Sequence, residues 1–210
     1  MNSYSIVICI SGPSGAGKSS LMERTVEILN DSVSFYFDAY KSTLTFPDLD
    51  DAFRRISEGE VKDPLDILRY EIRNDKFYED LCRLSQGYEV TDPWGRKLKP
   101  AKYIILEEPY GRLREGMNAL IHTSVCIDVP LEISLCRRLI RNITYDLVKE
   151  TAETRLDNVL EYIKSYHEGE GMAIKLMYEA LKEESDLIFD GLKPKELLVQ
   201  ELINYIRGIS

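Results

Sequence analysis

A three-layer α/β/α fold, with helices covering both faces of a mostly parallel five-stranded sheet, is the architecture this sequence predicts, and three observations predict it. Apolar runs rich in β-branched residues recur along the chain, amphipathic segments of helical period separate them, and the first apolar run leads at once into a glycine-rich turn. With 210 residues, 44% of them hydrophobic, the chain suffices for one domain spanning 1–210 with a small appendage.

Ile6-Val7-Ile8-Cys9-Ile10 is apolar at every position, as in a strand buried on both faces, and reads as the first central strand. Ser11 to Gly17 supply turn residues, and the following helix carries Leu21, Met22, Val26, Ile28 and Leu29 before fading at Asn30-Asp31. A second strand is expected over Val33–Phe37. Past Pro47, helices are expected over Asp51–Glu58 and over Leu65–Ser85, the latter with Leu65, Leu68, Ile72, Phe77, Leu81 and Leu84 toward one side. Over about 87–102, Tyr88-Glu89-Val90-Thr91 and Arg96-Lys97-Leu98 flank Asp92-Pro93-Trp94-Gly95, which predicts a small β-hairpin flap. Tyr103–Leu106 and Ser124–Val129 are the next buried strands, and connection lengths call for a helix of about ten residues between them. Helices over Leu131–Ile143, Thr151–Tyr166 and Met172–Lys182, a short strand over Asp186–Asp190 and a closing helix over Lys195–Ile206 complete the reading.

Thirty-six acidic against twenty-seven basic residues give a net charge of −9, the wrong sign for a chain that lives on phosphate backbones, so no nucleic-acid partner is expected. The same field repels free polyphosphates, and any phosphate site must be a local cluster of amide donors and basic side chains. Cys9, Cys82, Cys126 and Cys136 are widely spaced, without a paired motif, and read as buried free thiols. No segment has the length and character of a membrane span or leader, so a cytoplasmic location is expected.

Gly12-Pro13-Ser14-Gly15-Ala16-Gly17-Lys18-Ser19 matches the phosphate-binding loop pattern in full, follows a predicted buried strand and opens a predicted helix. The glycines reach backbone conformations closed to other residues, so that main-chain N–H groups curl around a polyphosphate at the positive end of the helix. Lys18 is expected along the β- and γ-phosphates of ATP, and the Ser19 hydroxyl on Mg²⁺. Ser20 continues the nucleotide-binding segment into the helix. The fold is therefore of the P-loop NTPase type.

Ligands of such sheets sit beyond the carboxyl ends of the strands, so acids just after predicted strands are candidates for chemistry. Asp38 follows Phe35-Tyr36-Phe37 and suits an acceptor-orienting base, with a solvated capping acid as its alternative. Glu107 follows Ile104-Ile105-Leu106 and suits magnesium, although Glu108 could exchange roles with it. Arg137 and Arg141 share one face of a predicted helix and could close over a triphosphate as part of a helical lid at about 137–155, or form an ordinary solvated face. His122 and His167 are too separated for a zinc site or a triad and read as structural or surface residues.

With these residues in place, the chain resembles the uridine kinase and phosphoribulokinase group of P-loop kinases. Gly12 to Ser20 is similar to the group's opening motif, Asp38-Ala39-Tyr40 to its strand-end aspartate segment, and Tyr103 to Glu107 to its strand ending in a magnesium-associated glutamate. Ile127-Asp128-Val129 through Arg141 resembles its arginine-bearing helix after a strand, and Ser185 to Phe189 its last strand. The resemblance implies a kinase that transfers the γ-phosphoryl group of ATP to a hydroxyl of a small metabolite, in the first place a nucleoside. In it Asp38 is the base, Lys18, Arg137 and Arg141 act on the phosphates, and Tyr40 and Trp94 lie beside the acceptor. The sequence also departs from the group: Asp38-Ala39-Tyr40-Lys41 is one residue shorter than its counterpart, and Ile143-Thr144-Tyr145-Asp146 stands where further lid arginines belong. Two alternatives stay open. One is a nucleoside monophosphate kinase using Lys41, Arg54, Arg55, Arg69 and Arg73; the other is a nucleotide-binding regulatory protein without efficient transfer. Related kinases are often homo-oligomers, and no segment here marks an interface.

Overall fold

The structure, a computed structural model, describes residues 5–146 and 148–208. The predicted domain (1–210) and lid (137–155) also include 1–4, 147 and 209–210, which lie outside the described residues. Seven strands are present among the described residues: β1 (Ile6–Ser11), β2 (Ser32–Tyr36), β3 (Val90–Thr91), β4 (Lys97–Leu98), β5 (Tyr103–Glu107), β6 (Thr123–Asp128) and β7 (Leu187–Asp190). Five of them form one sheet in the order β2-β5-β1-β6-β7, with every neighbouring pair parallel. The nine α-helices of the described chain are α1 (Lys18–Ile28), α2 (Leu49–Ser57), α3 (Leu65–Tyr70), α4 (Asp75–Ser85), α5 (Met117–Leu120), α6 (Leu131–Arg141), α7 (Ala152–Ser165), α8 (Gly171–Glu183) and α9 (Lys195–Gly208).

The period-two alternation of a strand sorts the core into two layers. Ile8, Ile10, Ile105, Val125 and Ile127 face Leu21 and Met22 of α1 and Val199, Leu202, Ile203 and Ile206 of α9. On the opposite face Val7, Cys9, Ile104 and Leu106 meet Phe77, Leu81 and Leu84 of α4. Each such fully buried aliphatic side chain contributes about 1.5–3 kcal/mol, which is why the central strands read as unbroken apolar runs. A three-layer parallel α/β/α sandwich is therefore what the sequence builds, with β3 and β4 as a separate antiparallel hairpin.

Four details depart from the expected elements. The helix expected over Leu65–Ser85 is broken into α3 and α4, because the Asn74 side chain accepts from Phe77 N at 3.1 Å and donates to the Tyr40 carbonyl at 2.9 Å, while Arg73 pairs with Thr45 in an isolated antiparallel bridge. The connection from β5 to β6 holds only the four-residue α5, since Gly111 and Gly116 take positive φ and the intervening turns tie residues down. The helix expected to reach Ile143 leaves α-geometry after Arg141 for a π-turn over Asn142–Asp146. Of the four thiols, Cys9 and Cys126 are buried, but Cys82 is only partly so and Cys136, on the outer side of α6, is exposed. His122 is structural, its Nδ1 accepting from Val7 N at 3.1 Å. Among the described residues no helix is long and apolar enough to cross a membrane.

Candidate active site

Parallel register carries the ends of β1 and β5 to one level: Ile10 is opposite Glu107, and the chain turns into the glycine loop just beyond. Gly12 has φ +133°, and a Cβ there would lie 2.9 Å from the Ile127 carbonyl oxygen. Gly15 has φ +89°, and its Cβ would lie 2.5 Å from the Ser134 carbonyl oxygen of α6. Only a residue without a side chain lets the loop press this closely on β6 and α6. The Ser134 hydroxyl in turn donates to the Ser14 carbonyl, fixing the loop tip to the first turns of α6. Pro13 and Ala16 close a tight turn, with Ala16 N donating to the Pro13 carbonyl at 3.1 Å.

Gly17, at φ +100°, precedes α1, and no side chain caps that helix nor does an acid occupy its first turn. The positive end of α1 is thus left facing the loop, as an anion site requires. Lys18 is buried, and its ammonium donates to the carbonyls of Gly12 and Pro13 at 3.0 and 3.1 Å. Burial holds its pKa below the ordinary lysine value, with Glu107 and then Asp38 pulling the other way and Arg141 adding to the lowering. Glu107, Asp38 and Arg141 are therefore all within electrostatic reach of Lys18.

The Ser19 hydroxyl donates to Glu107 Oε1 at 2.8 Å. Burial raises the Glu107 carboxyl above the usual carboxylate range, and the nearby Lys18 and the Ser19 hydrogen bond offset part of that. Glu108 is spoken for elsewhere: it is fully buried, accepts from Tyr110 N at 3.1 Å and is ion-paired with Arg114. Strand alternation thus separates the acid pair, Glu107 toward the loop and Glu108 into the opposite layer. Among the described residues no group of three or more His, Cys, Asp or Glu side chains is placed to hold a metal ion. Ser19 and Glu107 by themselves fit a Mg²⁺ ion that keeps most of its shell from water and nucleotide phosphate, the mode that ion prefers.

Asp38 lies in the 3₁₀ turn Phe37–Thr43 that leaves β2. Its side chain is about half exposed and pairs with Lys41 at 3.1 Å, a screened contact of small energy that leaves the carboxylate accessible. Tyr40, by contrast, is fully buried, stacks on Phe35 and donates its hydroxyl to Asp80 at 3.0 Å, so it lines the core rather than the space beside Asp38. Trp94 lies 56% exposed on the hairpin, 5.7 Å from the Tyr36 ring, with the Arg96 guanidinium 4.5 Å over Tyr36 and 5.5 Å over Trp94. Ser20, on the outer side of α1, is exposed. Arg137 directs both Nη atoms at the Gly191 carbonyl, each at 3.4 Å, and its Cβ stands against Gly15, so α6 brings it to the rim of the loop. Arg141, one turn further, acts on Lys18 through its charge.

The basic residues Arg54, Arg55 and Arg69 are each bound by acids of their own region, Asp51, Glu71, Asp63 and Asp66 among them. The Arg114–Glu108 pair is the feature that sequence reasoning missed. An arginine in a turn after a strand carries no local mark of burial.

A model of the Phosphoribulokinase / Uridine kinase family matches residues 7–183. A curated protein described as uridine kinase, from Schizosaccharomyces pombe (strain 972), is 27% identical over 216 residues, an alignment that takes in 95% of this chain and 43% of that protein. The chain thus spans less than half the length of that relative. Among solved structures, one described as a possible uridine kinase from Bacillus stearothermophilus has a TM-score of 0.44 at 13% identity, covering 90% of this chain and 91% of its own. Shikimate kinase from Bacteroides thetaiotaomicron likewise scores 0.44 at 13% identity, covering 96% of this chain and 98% of its own.

Proposed function

The chain belongs to the phosphoribulokinase / uridine kinase family, and from that premise we propose that it is an ATP- and magnesium-dependent kinase transferring the γ-phosphoryl group to a hydroxyl of a small metabolite. The observation that carries this reading is the Ser19–Glu107 contact of 2.8 Å, which sets a hydroxyl and a carboxylate at the mouth of a complete phosphate loop beside a buried lysine. A nucleoside, the acceptor in the relative's printed name, is the first to test.

In this mechanism the Lys18 ammonium exchanges its two carbonyl partners for phosphate oxygens, while the N–H groups at the start of α1 close around the β-phosphate. Ser19 and Glu107 would hold the Mg²⁺, which would supply charge neutralisation to the nucleotide's phosphates. Asp38 accepts the proton of the acceptor hydroxyl as that oxygen bonds to the γ-phosphorus and the bond to the β-phosphate oxygen breaks, giving ADP and the phosphorylated acceptor. Arg137 and Arg141 offset the charge spread over the transferring group, Arg137 by leaving the Gly191 carbonyl. The whole chain, hairpin flap and lid included, acts as one domain. The test is ADP release from Mg-ATP against nucleosides, nucleoside monophosphates and hydroxylated small metabolites, with Lys18→Ala as the blank. Acceptor-dependent release lost in the Lys18 variant is expected; ATP binding with no acceptor-dependent release would overturn the kinase and leave a nucleotide-binding regulator.

A further inference from the structure

The 3₁₀ turn Phe37–Thr43 has an inner and an outer side. Phe37, Ala39 and Tyr40 are buried in the core, whereas Asp38 and Lys41 are exposed just past the carboxyl end of β2. With three residues to a turn of this helix, positions i and i+3 eclipse, and the Lys41 ammonium lies 3.1 Å from Asp38 Oδ1. An exposed pair of this kind adds little to stability, and what sets this one apart is where it stands. Burial raises the Glu107 carboxyl, Lys18 and the Ser19 hydrogen bond oppose that, and the charge of Lys41 opposes it as well. Lys41 therefore reaches both carboxylates of the site. Resting on the kinase reading, we infer that Lys41 is a further catalytic residue, whose ammonium bridges Asp38 and the phosphoryl group as that group passes to the acceptor.

The reaction brings two anions to one atom. The acceptor oxygen gives its proton to Asp38 while it bonds to the γ-phosphorus; the bond from that phosphorus to the β-phosphate oxygen breaks, and ADP leaves with the electron pair. Until the proton moves, the Asp38 carboxylate and the phosphoryl oxygens flank the same hydroxyl and repel each other. An ammonium has three N–H donors and Asp38 occupies one, which leaves two for phosphoryl oxygens as charge-assisted hydrogen bonds. Lys41 gives up no proton, and its charge is the same before and after the step.

Other cations of the acceptor region are committed elsewhere. Arg54, Arg55 and Arg69 are held by acids of their own segments. Arg114 is paired with Glu108 and walled in by the rings of Phe37, Phe77 and Tyr110 at 5.4, 5.3 and 5.7 Å. The Lys41 side chain, by contrast, is 63% exposed. The backbone beneath it is tied down: Thr43 Oγ1 and Asn74 Nδ2 both donate to the Tyr40 carbonyl at 2.9 Å, and Leu44 N donates to the Lys41 carbonyl at 3.3 Å. A fixed root with a flexible four-carbon arm lets the ammonium follow the phosphoryl group while keeping Asp38.

The test has two arms on the full chain, with Lys41→Gln and Lys41→Arg beside wild type. In the first, kcat and both KM values are measured with Mg-ATP and an acceptor that supports Lys18-dependent ADP release. Lys41→Gln is expected to lower kcat about 10- to 100-fold with the KM for ATP and the melting temperature unchanged, and Lys41→Arg to recover most of the loss. An unchanged kcat, or a rise confined to the acceptor KM, overturns the proposal and leaves the kinase standing. The second arm needs no acceptor: binding of MgADP is compared with that of MgADP plus aluminium fluoride, a mimic of the phosphoryl group in flight. Lys41→Gln is expected to weaken the fluoride complex about ten-fold or more and MgADP alone by less than two-fold. Equal effects on the two, or none on either, overturns the contact. A selective loss in a chain that turns over no acceptor supports the contact and removes the kinase reading instead.

Discussion

The Ser134 carbonyl oxygen stands 2.5 Å from where a Gly15 Cβ would lie, so the tip of the phosphate loop and helix α6 are in direct backbone contact. The two meet although they belong to different strands' connections, and Arg137, one turn along, is carried to the loop by the same contact. Gly15→Ala forces that contact apart and strains a residue at φ +89°. A loss of about 1–3 kcal/mol in stability, together with weaker ATP binding, is expected from thermal melts and nucleotide titration. An unchanged melting temperature would show that α6 yields without cost.

Asp38→Asn removes the proposed base while leaving the loop untouched. The half-exposed side chain and its screened pair with Lys41 make little contribution to folding. A fall of about 10²–10⁴ in kcat with ATP affinity held within a few-fold is the expected result, read by acceptor-dependent ADP release and nucleotide binding. If kcat survives, the carboxylate is a solvated turn residue.

Glu107→Gln separates stability from function. Burial raises the folded pKa of Glu107, and also of Glu108, above the ordinary value of 4.5. A carboxyl shifted this way binds its proton more tightly in the native state. Its favourable contribution is complete below the unfolded pKa and is lost as pH rises through the raised folded value. The Gln variant therefore melts higher than wild type at neutral pH, and the advantage shrinks toward pH 4, while magnesium-dependent turnover drops about 10- to 100-fold. A variant that melts lower at neutral pH would show that the Lys18 and Ser19 interactions outweigh the burial of the charge.

Tyr40→Phe tests where that ring belongs. Its hydroxyl bonds to Asp80, which keeps Lys76 at 2.7 Å as a second partner. A loss of about 1.5–3 kcal/mol in stability with an unchanged acceptor KM is expected. A several-fold rise in KM at unchanged stability would return Tyr40 to the acceptor site.

Much of this site was legible because its chemistry is local. Gly12 to Ser19 carries its geometry within one turn, and the runs at Ile6, Tyr103 and Ser124 are mostly apolar because both sheet faces are covered. What escaped depends on partners far along the chain. The choice of Glu107 over Glu108 follows from strand alternation once Ile10 sets the register with β5. The break before α4 needed Asn74 to find the Tyr40 carbonyl as well as its own helix, and an amphipathic pattern running through it hid the cap. Arg114 reads in sequence as one more solvated arginine, and only the three rings around it reveal otherwise.

The grip of the hairpin on Tyr36 bears on how the chain behaves in company. β2 is an outermost strand of the sheet, and bare strand edges invite a neighbouring molecule to add a strand of its own. Trp94 and Arg96 lie across the last residue of that edge, a bulky cationic guard at the end nearest the glycine loop. With those two side chains stacked on Tyr36, the hairpin rests against the end of an edge strand, the position that natural sheets cover or charge to discourage strand addition.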